Sequence, residues 1–183
     1  VIDPVIKFSS YLGGNANENS NFTGRVATDT SGNSYYSGKT SSSNFLTTAS
    51  AYDTSRGGVE DAFVTKINSD GSLGYSTYFG GSGSDKSLDV AVNSLGNAFI
   101  VGQTNSTNMP TVNPAVVNNN SSGGNASGFV AKIAADGQSL LYSTYLGDTG
   151  NEAARGVAVD QSGKAFVVGR TTSASRASAM APP

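Results

Sequence analysis

The chain contains no cysteine, no histidine and no tryptophan. Without cysteine there is no disulfide, no thiolate nucleophile and no thiolate metal site. Without histidine the commonest general base and metal ligand at neutral pH is gone, and with it the usual activation of a serine or threonine nucleophile. Charge is scarce as well. Only 13% of residues are Asp, Glu, Lys or Arg, and the formal net charge is −2. No run of either sign occurs, and no basic patch marks a nucleic-acid partner. No apolar run approaches the roughly 20 residues needed to span a bilayer, so membrane insertion is not expected. There is no initiator methionine and no signal-peptide pattern, so the sequence reads as a mature product or an excised piece.

Gly, Ser, Asn and Thr fill the space. Glycine and threonine are poor helix formers, and Ser and Asn compete for backbone hydrogen bonds. The mixture suits short strands joined by tight turns, and recurring Val, Ile, Phe and Tyr runs supply the core that a disordered chain lacks. A composition so rich in Asn, Ser, Thr and Gly and so poor in Lys and Glu is common among exported proteins; an extracellular or cell-surface location is expected.

The phrase at Phe8, FSSYLGG, returns as YSTYFGG at Tyr75 and YSTYLGD at Tyr142, so that Tyr11, Tyr78 and Tyr145 recur at intervals of 67. Between them VATDTSGNSYYSGKT from Val26 matches VAVNSLGNAFIVGQT from Val90 and VAVDQSGKAFVVGRT from Val157, and FVTKINSDGS from Phe63 matches FVAKIAADGQ from Phe129. Each unit reads as four strands: the Tyr-Ser-Thr-Tyr phrase, the Val-Ala-Val segment, an apolar AFIVG segment buried on both faces, and FVTKI or FVAKI. Glycine late in the DTSGN, NSLGN and DQSGK joins permits the positive φ that such hairpin loops need, and Asp70-Gly71 and Asp136-Gly137 are strong turn signals.

The expected fold is all-β, with four-stranded antiparallel sheets, two complete and one partial, about 11 strands in one domain, stacked as in propellers and solenoids. The units run over 8–74, 75–141 and 142–173, with a tail at 174–183. A single four-stranded sheet cannot bury both faces, so neighbouring copies must stack. Fewer than three units fall short of a closed propeller, so the expected structure is incomplete or is completed by another chain.

The phrases YSTYLG, VAVDQSGKAFVVGRTTS and DAFVTKINSDGS resemble the bacterial SBBP (seven-bladed β-propeller) repeat, in order and over most of the chain. The resemblance implies propeller blades in a large exported or surface protein. It implies no common enzymatic activity and brings no catalytic motif.

Several residues invite a functional reading. GGSGSDKS from Gly80 glances at a phosphate loop, but Asp85 stands where glycine is needed and a strand follows. Asp29, Asp70, Asp136 and Asp160 lie in turns, where Asp bonds its own backbone. Asp148, Asn151 and Glu152 form the remaining oxygen-rich candidate for a metal. Lys66 and Lys132 recur on one strand position, with stems expected along the sheet and amines in water. The long joins after the third strand, 40–60 and 103–125, are candidate binding loops through Phe45, Tyr52, Met109 and Val112; packing back over the sheet edge is the alternative. Asn21, Asn105, Asn119, Asn120 and Asn125 head N-x-[ST] sequons and are candidate glycosylation sites. Tyr35 and Tyr36 replace apolar residues of the other copies and suggest an exposed cap or subunit contact.

No catalytic residue, cofactor or resident metal is expected, and the chain is not expected to be an enzyme. The favoured expectation is a structural protein that assembles with itself into a ring or filament. Its N-terminal segment (Val1, Ile2, Val5, Ile6 and Phe8) would donate the strand a neighbour lacks. The alternatives are a surface module that binds a glycan or protein through its long loops, or a piece of a larger surface propeller.

Overall fold

A computed structural model describes residues 9–18, 24–115, 125–147 and 149–173. The assembly residues Val1 to Phe8, the sequons at Asn21, Asn119 and Asn120, Asp148, and the tail lie outside the described residues. Among the described residues there is no helix and there are ten strands, all paired antiparallel.

Strands β1 (Arg25–Thr28), β2 (Ser34–Thr40), β3 (Asp61–Ile67) and β4 (Leu73–Phe79) form one sheet in that order. Strands β5 (Asp85–Val92), β6 (Ala98–Thr104), β7 (Ser127–Ile133) and β8 (Leu140–Leu146) form a second, and β9 (Ala153–Val159) with β10 (Ala165–Arg170) a third. The turn glycines adopt the expected conformation: Gly32, Gly71, Gly96, Gly137 and Gly163 all have φ between 75° and 89°. The turn aspartates accept from their own backbone, as when Asp160 Oδ1 takes the N–H groups of Ser162 and Lys164, both at 2.9 Å.

The sheets begin one strand later than the repeat phrases suggested. YSTYF at β4 closes the first sheet by pairing with β3, and YSTYL at β8 closes the second by pairing with β7. The reason is local. The Asp-Gly turns at 70–71 and 136–137 make tight hairpins into these strands, whereas the glycine-led joins after them, from Gly80 and from Gly147, cross to the next sheet. Among the described residues no strand precedes the first copy of the phrase, residues 9–14 form no strand, and the three sheets hold four, four and two strands, ten in all.

The second sheet is sandwiched. One core joins Tyr35, Val64, Tyr75 and Phe79 of the first sheet to Ile100, Phe129, Ile133 and Tyr145 of the second. A smaller one joins Val101 and Val130 of the second to Ala154 and Val157 of the third. Strand β6 is therefore buried on both faces, as its unbroken apolar run requires. Its counterpart β10 carries the same kind of sequence, and among the described residues no sheet lies beyond it.

Candidate functional site

Each crossing between sheets carries a carboxylate that the sequence reading passed over as a repeated element. Glu18, Asp85 and Glu152 occupy the same repeat position, seven residues after Tyr11, Tyr78 and Tyr145. Each is bound by a Thr-x-Ser triplet at the end of its sheet's second strand. Asp85 accepts from the hydroxyls of Thr104 and Ser106 and, at 2.7 Å, from the Gly81 N–H. Glu18 accepts from Thr40, Ser42 and the Gly14 N–H. Glu152 accepts from Thr171 at 3.0 Å and Ser173 at 2.6 Å. These are clasps that fix the crossing loop against the next sheet. Both hydroxyls fall on Glu152 Oε1, while its Oε2 is buried without a hydrogen-bond partner among the described residues; its neighbour Asn151 is bound to the Ala126 N–H and the Asn125 side chain. Among the described residues no group of three His, Cys, Asp or Glu side chains could hold a metal, and Asp148 of the candidate set with Asn151 and Glu152 lies outside those residues.

One further carboxylate is notable. Asp61, fully buried at the start of β3, accepts from the Gly57 and Gly58 N–H groups at 2.8 and 3.1 Å. Burial, helped by the charges of Asp85 and Asp53, pushes its carboxyl up to about 6 against the pull of those two N–H groups.

Within the described residues the candidate binding loops turn inward. Phe45 and Met109 are buried at equivalent places. Phe45 packs on Phe63 and Tyr78, and Met109 joins the core between the first two sheets. The Tyr78 hydroxyl accepts from the Phe45 N–H at 3.0 Å and donates to the Ser42 carbonyl at 2.8 Å; Tyr145 does the same for Met109 and Ser106. Tyr52 and Val112 are half-buried against the same core, and Val112 exchanges backbone hydrogen bonds with Ser143. These four residues cover sheet edges, the alternative reading of the loops. Of the described sequons, Asn105 is exposed, whereas the Asn125 amide donates to the Thr149 carbonyl at 3.0 Å.

Tyr35 is a correction. It is fully buried between the first and second sheets, its hydroxyl on Asp29 and the Gly96 carbonyl, because β2 faces a sheet on that side. Tyr36, on the other face, is half-buried beside Phe63. Lys66 and Lys132 are half-buried, and their amines lie 5.5 and 5.2 Å from the ring centroids of Tyr35 and Phe99, on the neighbouring strand.

Exposed apolar side chains occur singly in the joins, at Val59 and Leu95, and in groups at the two ends of the stack. Phe166 and Val168 of β10 are 60% and 69% exposed, while their counterparts Phe99 and Val101 on β6 are 5% and 0% exposed. At the opposite end Val26 is exposed where its counterpart Val90 is buried, and Tyr11 is fully exposed where Tyr78 and Tyr145 are buried. Beside β10 lies a cavity of about 200 Å³, lined by Gly128, Leu146, Ala153, Ala154, Gly169 and Arg170 among others. Sheet edge, exposed face and cavity lie together at this end of the stack and make up the candidate site. No helix of the described residues is long and apolar enough to cross a membrane.

Two stretches, residues 74–110 and 141–175, match the family model of the SBBP beta-propeller repeat. Both begin one residue before a Tyr-Ser-Thr-Tyr phrase, within β4 and β8, and run through the next sheet's first two strands. No curated protein matches the chain.

Proposed function

We propose that this chain, which carries SBBP beta-propeller repeats, is a non-enzymatic structural building block of the cell exterior that works by associating with further copies of itself. The observation that carries this reading is the contrast between Phe166 and Val168, open to solvent, and Phe99 and Val101, covered by a neighbouring sheet. An unpaired edge next to exposed apolar side chains is a template for another chain. The two ends of the stack differ: one offers β10, the other Val26 and the unpaired phrase around Tyr11. Contact between them is head-to-tail, which gives a ring if the rotation closes and a filament if it does not. The N-terminal segment 1–8 is the proposed donated strand, on its Val-Ile pairs alone.

The reading of the long loops as a glycan or protein binding surface is weaker, since Phe45 and Met109 are spent on the core.

The test is the chain's mass in solution by sedimentation over a wide concentration range, beside Val168→Asp and a chain lacking residues 1–7. Concentration-dependent oligomers that both changes abolish support the reading. A folded monomer at every concentration overturns it. Oligomers that survive the truncation refute the donor segment alone.

A further inference from the structure

The cavity beside β10 has a counterpart one sheet earlier, and there it is filled. Its lining residues Gly128, Leu146, Ala153, Ala154 and Gly169 correspond in the repeat to Ala62, Phe79, Lys86, Ser87 and Gly102. At that earlier place the ring of Phe129, from strand β7, lies 5.4 Å from the ring of Phe79 and directly over Gly102, its partner across the ladder. A Cβ added to Gly102 would come within 2.8 Å of the Phe129 ring. Phe63 stands opposite Gly38 in the same way in the first sheet. Gly169 is the third glycine of the series; it faces Ala154 of β9 on one side, and among the described residues no strand lies on its other side.

The other face of the same strand position is also matched. Lys66 stands opposite Tyr35 and Lys132 opposite Phe99, each with its amine over that ring. The third member of this series is Phe166, whose ring is exposed. The aromatic and the lysine are three residues apart, so in an extended strand they point to opposite faces. One added strand would therefore place a ring into the cavity over Gly169 and an ammonium over Phe166.

We infer that the free edge of β10 is a strand-addition site selective for an aromatic-x-x-lysine segment. The ring fills the cavity between Leu146 and Gly169, and the lysine covers Phe166. The occupant is a second polypeptide carrying the same repeat's third strand. The size fits: a cavity of ~150 Å³ holds a benzene ring, and this one is about 200 Å³. Main-chain pairing along Ala165–Arg170 supplies affinity and the two side chains supply selection. This inference rests on the assembly reading but names what the edge recognises.

The experiment titrates the full chain into a fluorescent synthetic peptide copying residues 60–68, read by anisotropy, with amide exchange to locate the contact. The expected result is saturable binding with slowed exchange across Ala165–Arg170. Phe63→Ala in the peptide weakens it on the order of 30-fold, and Lys66→Gln by about 3-fold. Phe166→Ala in the chain, an exposed position that leaves the fold intact, weakens the unaltered peptide and no longer distinguishes it from its Lys66→Gln form. Equal affinity for the Phe63→Ala peptide, protection located elsewhere, or no binding below about 1 mM overturns the inference. Oligomers that form although no peptide binds would sink this inference and leave assembly standing. A chain that binds the peptide but never associates with itself would do the reverse.

Discussion

Tyr145 holds Met109 by the main chain. The Met109 N–H donates to the tyrosine hydroxyl at 2.8 Å, and that hydroxyl donates on to the Ser106 carbonyl at 3.0 Å. Both residues are buried, so each bond is made where water cannot replace it. The same three-part latch joins Tyr78 to Phe45 and Ser42 one sheet earlier. The recurring tyrosine of the repeat phrase is a clamp on the loop that follows the sheet's second strand.

Tyr145→Phe leaves the Met109 N–H and the Ser106 carbonyl without this partner. It should destabilise the chain by about 1–3 kcal/mol, the penalty of a buried group left unpaired. Denaturant melts will show a lower midpoint at unchanged slope. No loss of stability would mean that the loop is held by its apolar contacts alone.

Tyr75→Phe is the same chemical change with the opposite expected sign. The Tyr75 hydroxyl is buried and has no hydrogen-bond partner among the described residues. Burial drives its ionisation far above the usual phenol range. Removing an oxygen that gains nothing from the fold should leave stability unchanged or raise it by up to about 1 kcal/mol. Melts run beside Tyr145→Phe separate the two directly.

Asp61 sets a pH dependence. Its folded-state carboxyl titrates at about 6, above the ordinary carboxylate value, because burial and the charges of Asp85 and Asp53 disfavour the anion. The folded chain therefore holds this proton more tightly than the unfolded one. The group's contribution is most favourable below about pH 4 and is lost as pH climbs from about 4 to 6. Asp61→Asn does not titrate. Its melting temperature relative to the parent chain should rise between pH 4.5 and pH 7.5, whatever the cost of changing the bonds to Gly57 and Gly58. A constant difference would place the titration elsewhere.

Phe129→Ala empties the place where the first two sheets meet. The ring is fully buried against Phe79, and deleting it should cost about 3–5 kcal/mol. If the chain still folds, calorimetry will show a lower melting temperature, and the new void should admit benzene.

Much of the fold was legible because its signals are local. The joins with Asp and Gly carry their φ and side-chain demands within four residues, and the unbroken apolar run Ala98–Val101 declares burial on both faces. The sheet frame was less legible. Tyr75–Phe79 is flanked by a hairpin turn on one side and a loose Gly-Gly join on the other, and only the pairing shows which neighbour it serves. The clasps at Glu18, Asp85 and Glu152 were hidden because the acid alternates between Asp and Glu, and its Thr-x-Ser partner lies 19 to 24 residues away. A search for an acidic position in fixed register with Tyr11, Tyr78 and Tyr145 would have found them. The loops misled because Phe45 and Met109 differ in type and surroundings, while what they share is a contact with a distant tyrosine.

The one-strand offset between repeat and sheet has a consequence for how such a chain can grow. A copied segment running from Tyr75 to Leu141 carries the closing strand of one leaf and the opening three of the next. Such a duplication cannot produce a free-standing leaf; it must be spliced into its neighbours on both sides, each borrowing from the other. Lengthening the array therefore welds successive leaves covalently, and a nick in the Gly80–Ser84 crossing would sever the array where a nick in the Asp136–Gly137 turn would only notch it.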